Sequence, residues 1–256
     1  MNLLALLKKE LKYQIRTYRL LVLVVICLVI GIGSPITAKV MPDIISSLGT
    51  GASGIQIVMT IEPSATDGLV QYHKNFGLIP LLLIFMTMGA MAEERSRGTA
   101  AMILTKPVSR FDFLAAKFLT PALSLALALS LAAVACYYYL SVLFPEATVD
   151  PVWFAGLNVL LLTWLLAYLA VTLLASVIFK GQAAAGGAGV LFFALMLILG
   201  SLPRVGAHTV QGLYVQGARL INGTANGDLW KGYGVSLGVI IASLVTAWAI
   251  FRRQEL

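Results

Sequence analysis

Residues 152–179 read VWFAGLNVLLLTWLLAYLAVTLLASVIF, a run of 28 residues without a charged side chain. A helix of about 20 apolar residues crosses the hydrocarbon core of a bilayer, with a tolerated range of roughly 17 to 25, or more when it tilts. Five other charge-free windows also qualify: Leu20–Ala38, Phe76–Ala92, Phe118–Phe144, Ala183–Leu202 and Tyr233–Phe251. The sequence predicts an all-α membrane protein, with residues 1–256 forming one domain of six transmembrane helices.

The overall composition agrees with a bilayer environment. The chain has 256 residues, of which 59% are hydrophobic and only 11% are charged, and its mean hydropathy is +0.92. A formal charge of +7 would also suit nucleic acid, but nucleic-acid-binding domains carry a dense basic patch on a water-soluble core. The hydrophobic excess excludes that class, so membrane lipid is the expected surrounding and no nucleic-acid partner is expected.

The distribution of Lys and Arg predicts the orientation, because cytoplasmic loops retain these residues. With six spans both termini lie on one side, and that side carries 13 of the 18 basic residues. The remaining five are Lys39, Lys74, Arg204, Arg219 and Lys231. We therefore expect a multi-pass protein of the cell membrane with both termini in the cytoplasm. Residues 41–75 and 203–231 are then predicted to lie outside, and an apolar stripe from Val210 to Ile221 is predicted to lie on the outer leaflet or to cap the transport pathway.

The residues before the first span have an amphipathic helical pattern. Leu4, Leu7, Leu11 and Ile15 recur every three or four positions, with basic residues on the neighbouring faces. This pattern predicts an interfacial helix over residues 3–19 on the anionic cytoplasmic leaflet. Two alternatives are a cytoplasmic extension of the first span and a signal peptide. The basic segment before the apolar run is long for a signal peptide, and no small-x-small cleavage pattern follows it.

Chemistry-bearing residues are sparse in the predicted spans. The six windows contain no Asp, Glu, His, Lys or Arg, whereas transporters driven by protons or ions place such groups at membrane depth. Cys27 and Cys136 fall inside spans and are interpreted as small buried side chains. His73 and His208 are predicted to lie outside. No G-x-x-x-x-G-K-[ST] phosphate loop occurs. We therefore expect no catalytic, metal or cofactor residue in this chain.

The loop between the second and third windows, residues 93–112, has helix punctuation of its own. Gly98 can take the left-handed conformation that ends a helix. Thr99 is predicted to cap a short helix over residues 100–105, which Pro107 ends. Ser109 is then predicted to cap the helix of the third span. The result is a helix of about two turns held between two spans on the cytoplasmic side.

This short helix would expose three apolar side chains, Met102, Ile103 and Leu104, in a loop that has no structural need for them. An apolar cluster in a cytoplasmic loop indicates a groove on a partner. The charged residues that flank it are expected to pair with that partner or with each other; they are Glu93, Glu94, Arg97 and Arg110.

At these residues the chain resembles the permease subunits of type-2 ATP-binding-cassette (ABC) exporters. The resemblance lies in E-R-x-x-G-T at Glu94–Thr99, the following Leu104, P-V-S-R at Pro107–Arg110, and the downstream basic residue Lys117. Supporting matches are Glu10, Arg16 and Thr17 in the basic N-terminal helix, the Pro63-x-x-x-Asp67 motif, and the six-span layout.

The resemblance implies an assembly of two permeases, as a homodimer, with two cytoplasmic ATPase subunits that bind ATP and Mg. It also implies that the loop helix docks in a cleft of the ATPase and transmits its closure to the spans. The cargo expected for uncharged spans is amphipathic or apolar. The residues predicted to form the ATPase-coupling region are Glu93, Glu94, Arg97, Gly98, Thr99, Met102, Ile103, Leu104, Pro107, Val108, Ser109 and Arg110.

Two other functions stay open on the sequence. A relay subunit that transports nothing, but passes ATP-driven motion to another membrane protein, would share the docking loop. An intramembrane protease is suggested by Glu93-Glu94 followed by Arg97, which is similar to an E-E-x-x-x-R signature. However, Arg97 comes one residue early, and the spans lack the His that such enzymes need.

Overall fold

The computed structural model describes residues 3–49, 63–96, 98, 109–202, 205–224 and 229–254, without the side chains of 45–49. These residues are mostly helical. The helices are α1 (Leu3–Arg16), α2 (Arg19–Gly49), α3 (Ala65–Phe76), α4 (Ile79–Thr87), α5 (Ala92–Ser96), α6 (Arg110–Leu143), α7 (Pro151–Ile178), α8 (Gln182–Gly200), α9 (Val210–Ile221) and α10 (Leu229–Arg253), with a 3-10 turn at Gly206–His208.

Six helical segments of the described chain are long and apolar enough to cross a membrane, which confirms the predicted number of spans. They are Arg19–Ile44, Ala65–Ser96, Arg110–Leu143, Pro151–Ile178, Gln182–Gly200 and Leu229–Arg253. The second begins well before the predicted Phe76. Ser64 accepts a hydrogen bond from the backbone of Asp67, and the Asp67 carboxylate accepts one from Ser64 N–H, so a capping box starts α3 eleven residues earlier.

The α7 helix is the centre of the bundle. In its most apolar window 72% of the residues are buried, against 22–50% for the other five candidate spans. It packs against α4, α6, α8, α9 and α10. Its largest side chains, Trp164 and Tyr168, are almost wholly buried and make an edge-to-face pair at 5.4 Å between ring centroids. A helix that is apolar all round belongs in such a position.

The α1 helix is separate from the first span. The helical conformation is interrupted at Tyr18, which has φ +58°, so α1 is not a straight extension of α2. Its polar side chains Glu10 and Gln14 are buried against the protein, whereas Leu4 and Ile15 of the predicted apolar stripe are 69% and 55% exposed. This inverted arrangement suits a helix with lipid on its apolar face, and the interfacial position of α1 stays a prediction.

The α9 helix packs on the bundle through its apolar stripe. Val210 and Leu213 are almost fully buried, so this stripe faces the protein. His73 lies in the first part of the Ala65–Ser96 segment with 1% exposure, and its outer position stays a prediction. Its Nε2 is 2.9 Å from the Tyr214 carbonyl oxygen. Burial raises the pKa of Tyr214 to about 12, so its hydroxyl stays protonated and donates to the His73 carbonyl.

Close approach of α2 to α6 depends on Gly31. A Cβ at this position would lie 2.9 Å from the Cα of Ala132 and closer still to its carbonyl oxygen. We expect Gly31→Ala to push the two helices apart and to lower the free energy of unfolding by about 1–3 kcal/mol. Gly33→Ala is the matched control, because a Cβ added at Gly33 would have no such neighbour within 4 Å. Denaturation of the purified variants in mild detergent measures their free energies of unfolding. Equal stability of the two variants would contradict the close packing of α2 against α6 at Gly31.

Candidate coupling site

The N-terminal helix, the end of the last helix and both ends of the predicted coupling loop meet at one end of the bundle. We call this end the base; it comprises α1, α5, the first turns of α6 and the last turn of α10. Five predicted coupling residues are described there: Glu93, Glu94, Gly98, Ser109 and Arg110. The other seven lie outside the described residues, as does the short helix predicted over 100–105: Arg97, Thr99, Met102, Ile103, Leu104, Pro107 and Val108.

The start of the loop has the predicted geometry at Gly98. The second span is not the one continuous helix into the loop that the sequence predicts, because a turn at residues 88–91 separates α4 from α5. The span ends with α5 at Ser96, and Gly98 has φ +67°, the left-handed conformation expected of it. The turn between α4 and α5 leaves backbone donors outside the regular helix pattern. The hydroxyl of Ser176 on α7 accepts hydrogen bonds from the N–H groups of Met91 and Ala92, at 2.8 and 3.0 Å. This pair of bonds fixes α5 to the central helix.

The end of the loop also has the predicted geometry. Ser109 has an extended backbone conformation, and its hydroxyl accepts a hydrogen bond from Asp112 N–H at 2.9 Å. This is an N-terminal cap, which satisfies one backbone donor of the first turn. The helix of the third span therefore begins at Arg110, as predicted.

A buried ion-pair cluster lies at the base and joins three helices. Lys117 of α6 places its Nζ 3.0 Å from both carboxylate oxygens of Glu10 on α1 and 2.8 Å from Oε1 of Glu94 on α5. Lys9 adds contacts of 3.3 Å to Glu10 and 3.2 Å to Glu94. The Lys117 side chain is only 6% exposed and Glu10 only 10%. We call these four residues the charge cluster.

The charge cluster has a mechanical consequence. Buried charges are retained only when they are paired, because each uncompensated charge would cost several kcal/mol in a low-dielectric environment. Any displacement of Glu94 must therefore be followed by Lys117 and Glu10 or break these contacts. The start of the coupling loop is in this way tied to both the N-terminal helix and the third span.

Sequence reasoning missed the charge cluster as a unit. It marked Glu94, Lys117 and Glu10 separately, and it expected Glu94 to pair with the partner or with a flanking charge. The partners of Lys117 lie 107 and 23 positions away in the chain, so local patterns do not reveal them. The available signal was a lysine directly before an apolar window, since such a charge needs an opposite charge nearby.

Arginine side chains anchor both sides of the loop to the ends of other helices. Arg95 donates to the carbonyl oxygen of Val177, at the end of α7, and to the side chain of Gln254. Arg110 donates from one terminal nitrogen to the carbonyl oxygens of three residues, Phe251, Arg252 and Gln254, at 2.8–3.0 Å. Cations at helix C-termini satisfy the last carbonyl groups and complement the helix dipole.

Replacing Arg110 with glutamine is expected to loosen the last turn of α10. Loss of charge-assisted bonds worth about 1.5 kcal/mol corresponds to about tenfold faster hydrogen exchange of the backbone amides there. Arg253→Gln is the control, since Arg253 is an exposed arginine on the same turn. Hydrogen exchange followed by mass spectrometry measures the amide exchange rates of both variants. Unchanged hydrogen exchange in Arg110→Gln would show that the hydrogen bonds from Arg110 do not stabilise the last turn of α10.

An apolar cluster holds the polar contacts in place. Leu6 of α1, Phe113 of α6 and Phe251 of α10 are at most 1% exposed and pack together with Met91 and Val177. The rings of Phe113 and Phe251 stack with centroids 5.9 Å apart. The base is therefore a packed unit to which both ends of the loop are fixed.

The sequence of this chain is similar to known proteins over nearly its whole length. Residues 4–256 match the family described as ABC-2 family transporter protein. The chain belongs to this ABC-2 family. It is also 26% identical over 257 residues to the uncharacterized transmembrane protein YxlG of Bacillus subtilis (strain 168), and the match covers 99% of this chain and 98% of that protein.

ABC-2 membership identifies the chain as the multi-pass permease component of an ABC transporter. It confirms the resemblance drawn from the loop and implies a separate ATPase subunit. Among the described residues, His, Cys, Asp and Glu form no group of three or more that could hold a metal ion.

Proposed function

We propose that this chain is the membrane-spanning subunit of an ATP-driven exporter, in which two copies of it assemble with two ATPase subunits. The base faces the cytoplasm, as the excess of basic residues on that side indicates. Residues 93–110 form the docking site for the ATPase. The transported cargo is an amphipathic or apolar molecule, in keeping with spans whose central windows carry no charge.

The observation that carries the coupling proposal is that both ends of the loop are fixed to other helices. Glu94 contacts α1 and α6, Arg95 contacts the end of α7, and Arg110 contacts the end of α10. A force applied to the loop between them therefore reaches four helices at once. Packed helices respond to such a force by discrete shifts and not by continuous bending.

The docking surface itself is assigned from the sequence. Met102, Ile103 and Leu104 would insert into an apolar cleft of the ATPase, and the surrounding Arg97 and Pro107–Arg110 would complete the contact. ATP hydrolysis by the partner would then displace the loop relative to the base. None of these residues needs to take part in the chemistry of hydrolysis, since their role is binding and transmission of movement.

Transport by the reconstituted complex tests the proposal against a relay subunit. The permease and its ATPase are placed in vesicles, and ATP is supplied on the side of the ATPase. The expected result is ATP-dependent movement of an amphipathic cargo away from that side. Hydrolysis coupled to no movement of any cargo class would favour the relay function instead. The transporter family match already argues against an intramembrane protease.

A further inference from the structure

A cavity of about 430 Å³ opens beside the charge cluster, between α1, the start of α2, the turn before α5 and the first turns of α6. Its size lies within the range of small-molecule sites. Arg19 and Glu94 line it, and these residues lie in the first turn of one candidate span and the last turn of another. The cavity therefore lies at the depth where lipid headgroups meet the protein.

The charges that line this cavity balance. Lys9, Arg19 and Lys117 supply three cations, and Glu10, Glu93 and Glu94 supply three anions. A ligand with a net charge would upset this balance inside a partly dehydrated site, which is costly. A ligand with one positive and one negative group preserves it. The cavity is thus suited to a zwitterion.

The cavity has donors for the anionic half of such a ligand. Arg19 uses one terminal nitrogen to donate to the Met86 carbonyl at 2.8 Å, and its guanidinium lies 5.3 Å from the centre of the Tyr13 ring. Its other N–H groups donate to no other described residue, so they are able to bind a phosphate in the forked geometry that arginine favours. Lys9, with a side chain 40% exposed, adds an ammonium group.

The cavity also has acceptors for the cationic half. The carboxylates of Glu93 and Glu94 line it. Pro121 lines it as well, within the continuous helix α6. Because proline has no N–H, the Lys117 carbonyl lacks the helical donor four residues on. A primary ammonium carries three N–H donors for such acceptors, whereas a quaternary ammonium carries none.

We propose that this cavity binds the headgroup of a phospholipid with a primary amine, of the phosphatidylethanolamine type, from the leaflet at the base. The phosphate lies near Arg19 and Lys9, and the ammonium group lies near Glu93, Glu94 and the Lys117 carbonyl. The acyl chains leave past Tyr13 and Met86. This inference does not depend on transport, because it needs only the folded permease.

Lipid binding to the purified permease in mild detergent, measured by native mass spectrometry, tests the proposal. Phosphatidylethanolamine, phosphatidylcholine and phosphatidylglycerol with identical acyl chains are compared. We expect phosphatidylethanolamine to bind about tenfold more tightly than the other two lipids, because each of them lacks the ammonium N–H donors and so loses at least one charge-assisted hydrogen bond. Equal affinity for all three, or a preference for the anionic lipid, would overturn the zwitterion site.

Paired variants locate the site. Lys9→Gln is expected to weaken phosphatidylethanolamine binding about tenfold, and Lys8→Gln, its exposed neighbour outside the cavity, is expected to leave it unchanged. Arg19→Gln gives a second reading, with exposed Arg16→Gln as its control. Equal binding in Lys9→Gln and Lys8→Gln would refute the assignment even if Arg19→Gln did not fold.

Competition distinguishes the headgroup from the acyl chains as the recognised part. Soluble glycerophosphoethanolamine carries the same phosphodiester and ammonium groups without the chains. It is expected to displace the lipid from the wild-type permease. If it fails to compete at any concentration, the lipid is held on the apolar outer surface and the cavity is not its site.

Discussion

Replacing Lys117 with methionine is expected to lower the free energy of unfolding by about 3–5 kcal/mol, the largest stability effect that the structure predicts. The change removes the cation that lies within 3.0 Å of Glu10 and Glu94. Of the two cations of the charge cluster, Lys9 then remains, and its side chain is 40% exposed. Methionine fills similar space, so the loss is one of charge and not of packing. Denaturant titration in detergent measures the change.

A compensating variant separates charge balance from general damage to the base. Glu10→Gln combined with Lys117→Met leaves one cation, Lys9, facing one anion, Glu94. This double variant is expected to regain most of the lost stability, since the uncompensated charge has gone. Lys8→Met, an exposed lysine on α1, is expected to stay within about 0.5 kcal/mol of wild type. A double variant no more stable than Lys117→Met would contradict the account.

Replacing Leu104 with aspartate is expected to reduce ATP-driven transport at least tenfold while the ATPase still hydrolyses ATP. A carboxylate in an apolar cleft costs several kcal/mol, and about 1.4 kcal/mol is enough for a tenfold change. The spans should stay folded, because position 104 lies in the loop and outside every candidate span. Transport and hydrolysis are measured on the same reconstituted complex.

Ala147→Asp is the matched control for Leu104→Asp. It places the same new charge in an exposed turn, between α6 and α7, at the end of the bundle opposite the coupling loop. We expect normal transport from it. Gly98→Ala provides a second probe of the loop, because a side chain is strained by about 1–2 kcal/mol at φ +67°. Wild-type transport by Leu104→Asp would show that the loop does not couple the subunits.

Features set by nearby residues could be predicted from the sequence. The six spans follow from the length of uninterrupted apolar runs, which depends on no other part of the chain. The left-handed Gly98 and the cap at Ser109 follow from residues within three positions of each other. Span length and helix capping depend on residues that are close together in the sequence, so local patterns are enough to find these elements.

The start of the second span and the charge cluster were not predicted from the sequence. The charge-free window begins at Phe76 because Lys74 and Asp67 interrupt the apolar run, yet the Ser64–Asp67 capping box is a local signal that a helix begins at Ala65. The pairing of Lys117 with Glu10 depends on how α1 folds back against α6. Tertiary contacts of this kind carry no periodicity, so only the structure shows them.

Affinity purification from the native membrane tests the central claim most directly. The tagged permease is solubilised in mild detergent, and its partners are identified and counted by mass spectrometry. We predict that an ATPase with a phosphate loop is recovered in equal amount with the wild-type chain and in reduced amount with Leu104→Asp. A wild-type permease that is recovered folded but without any such ATPase would contradict the account.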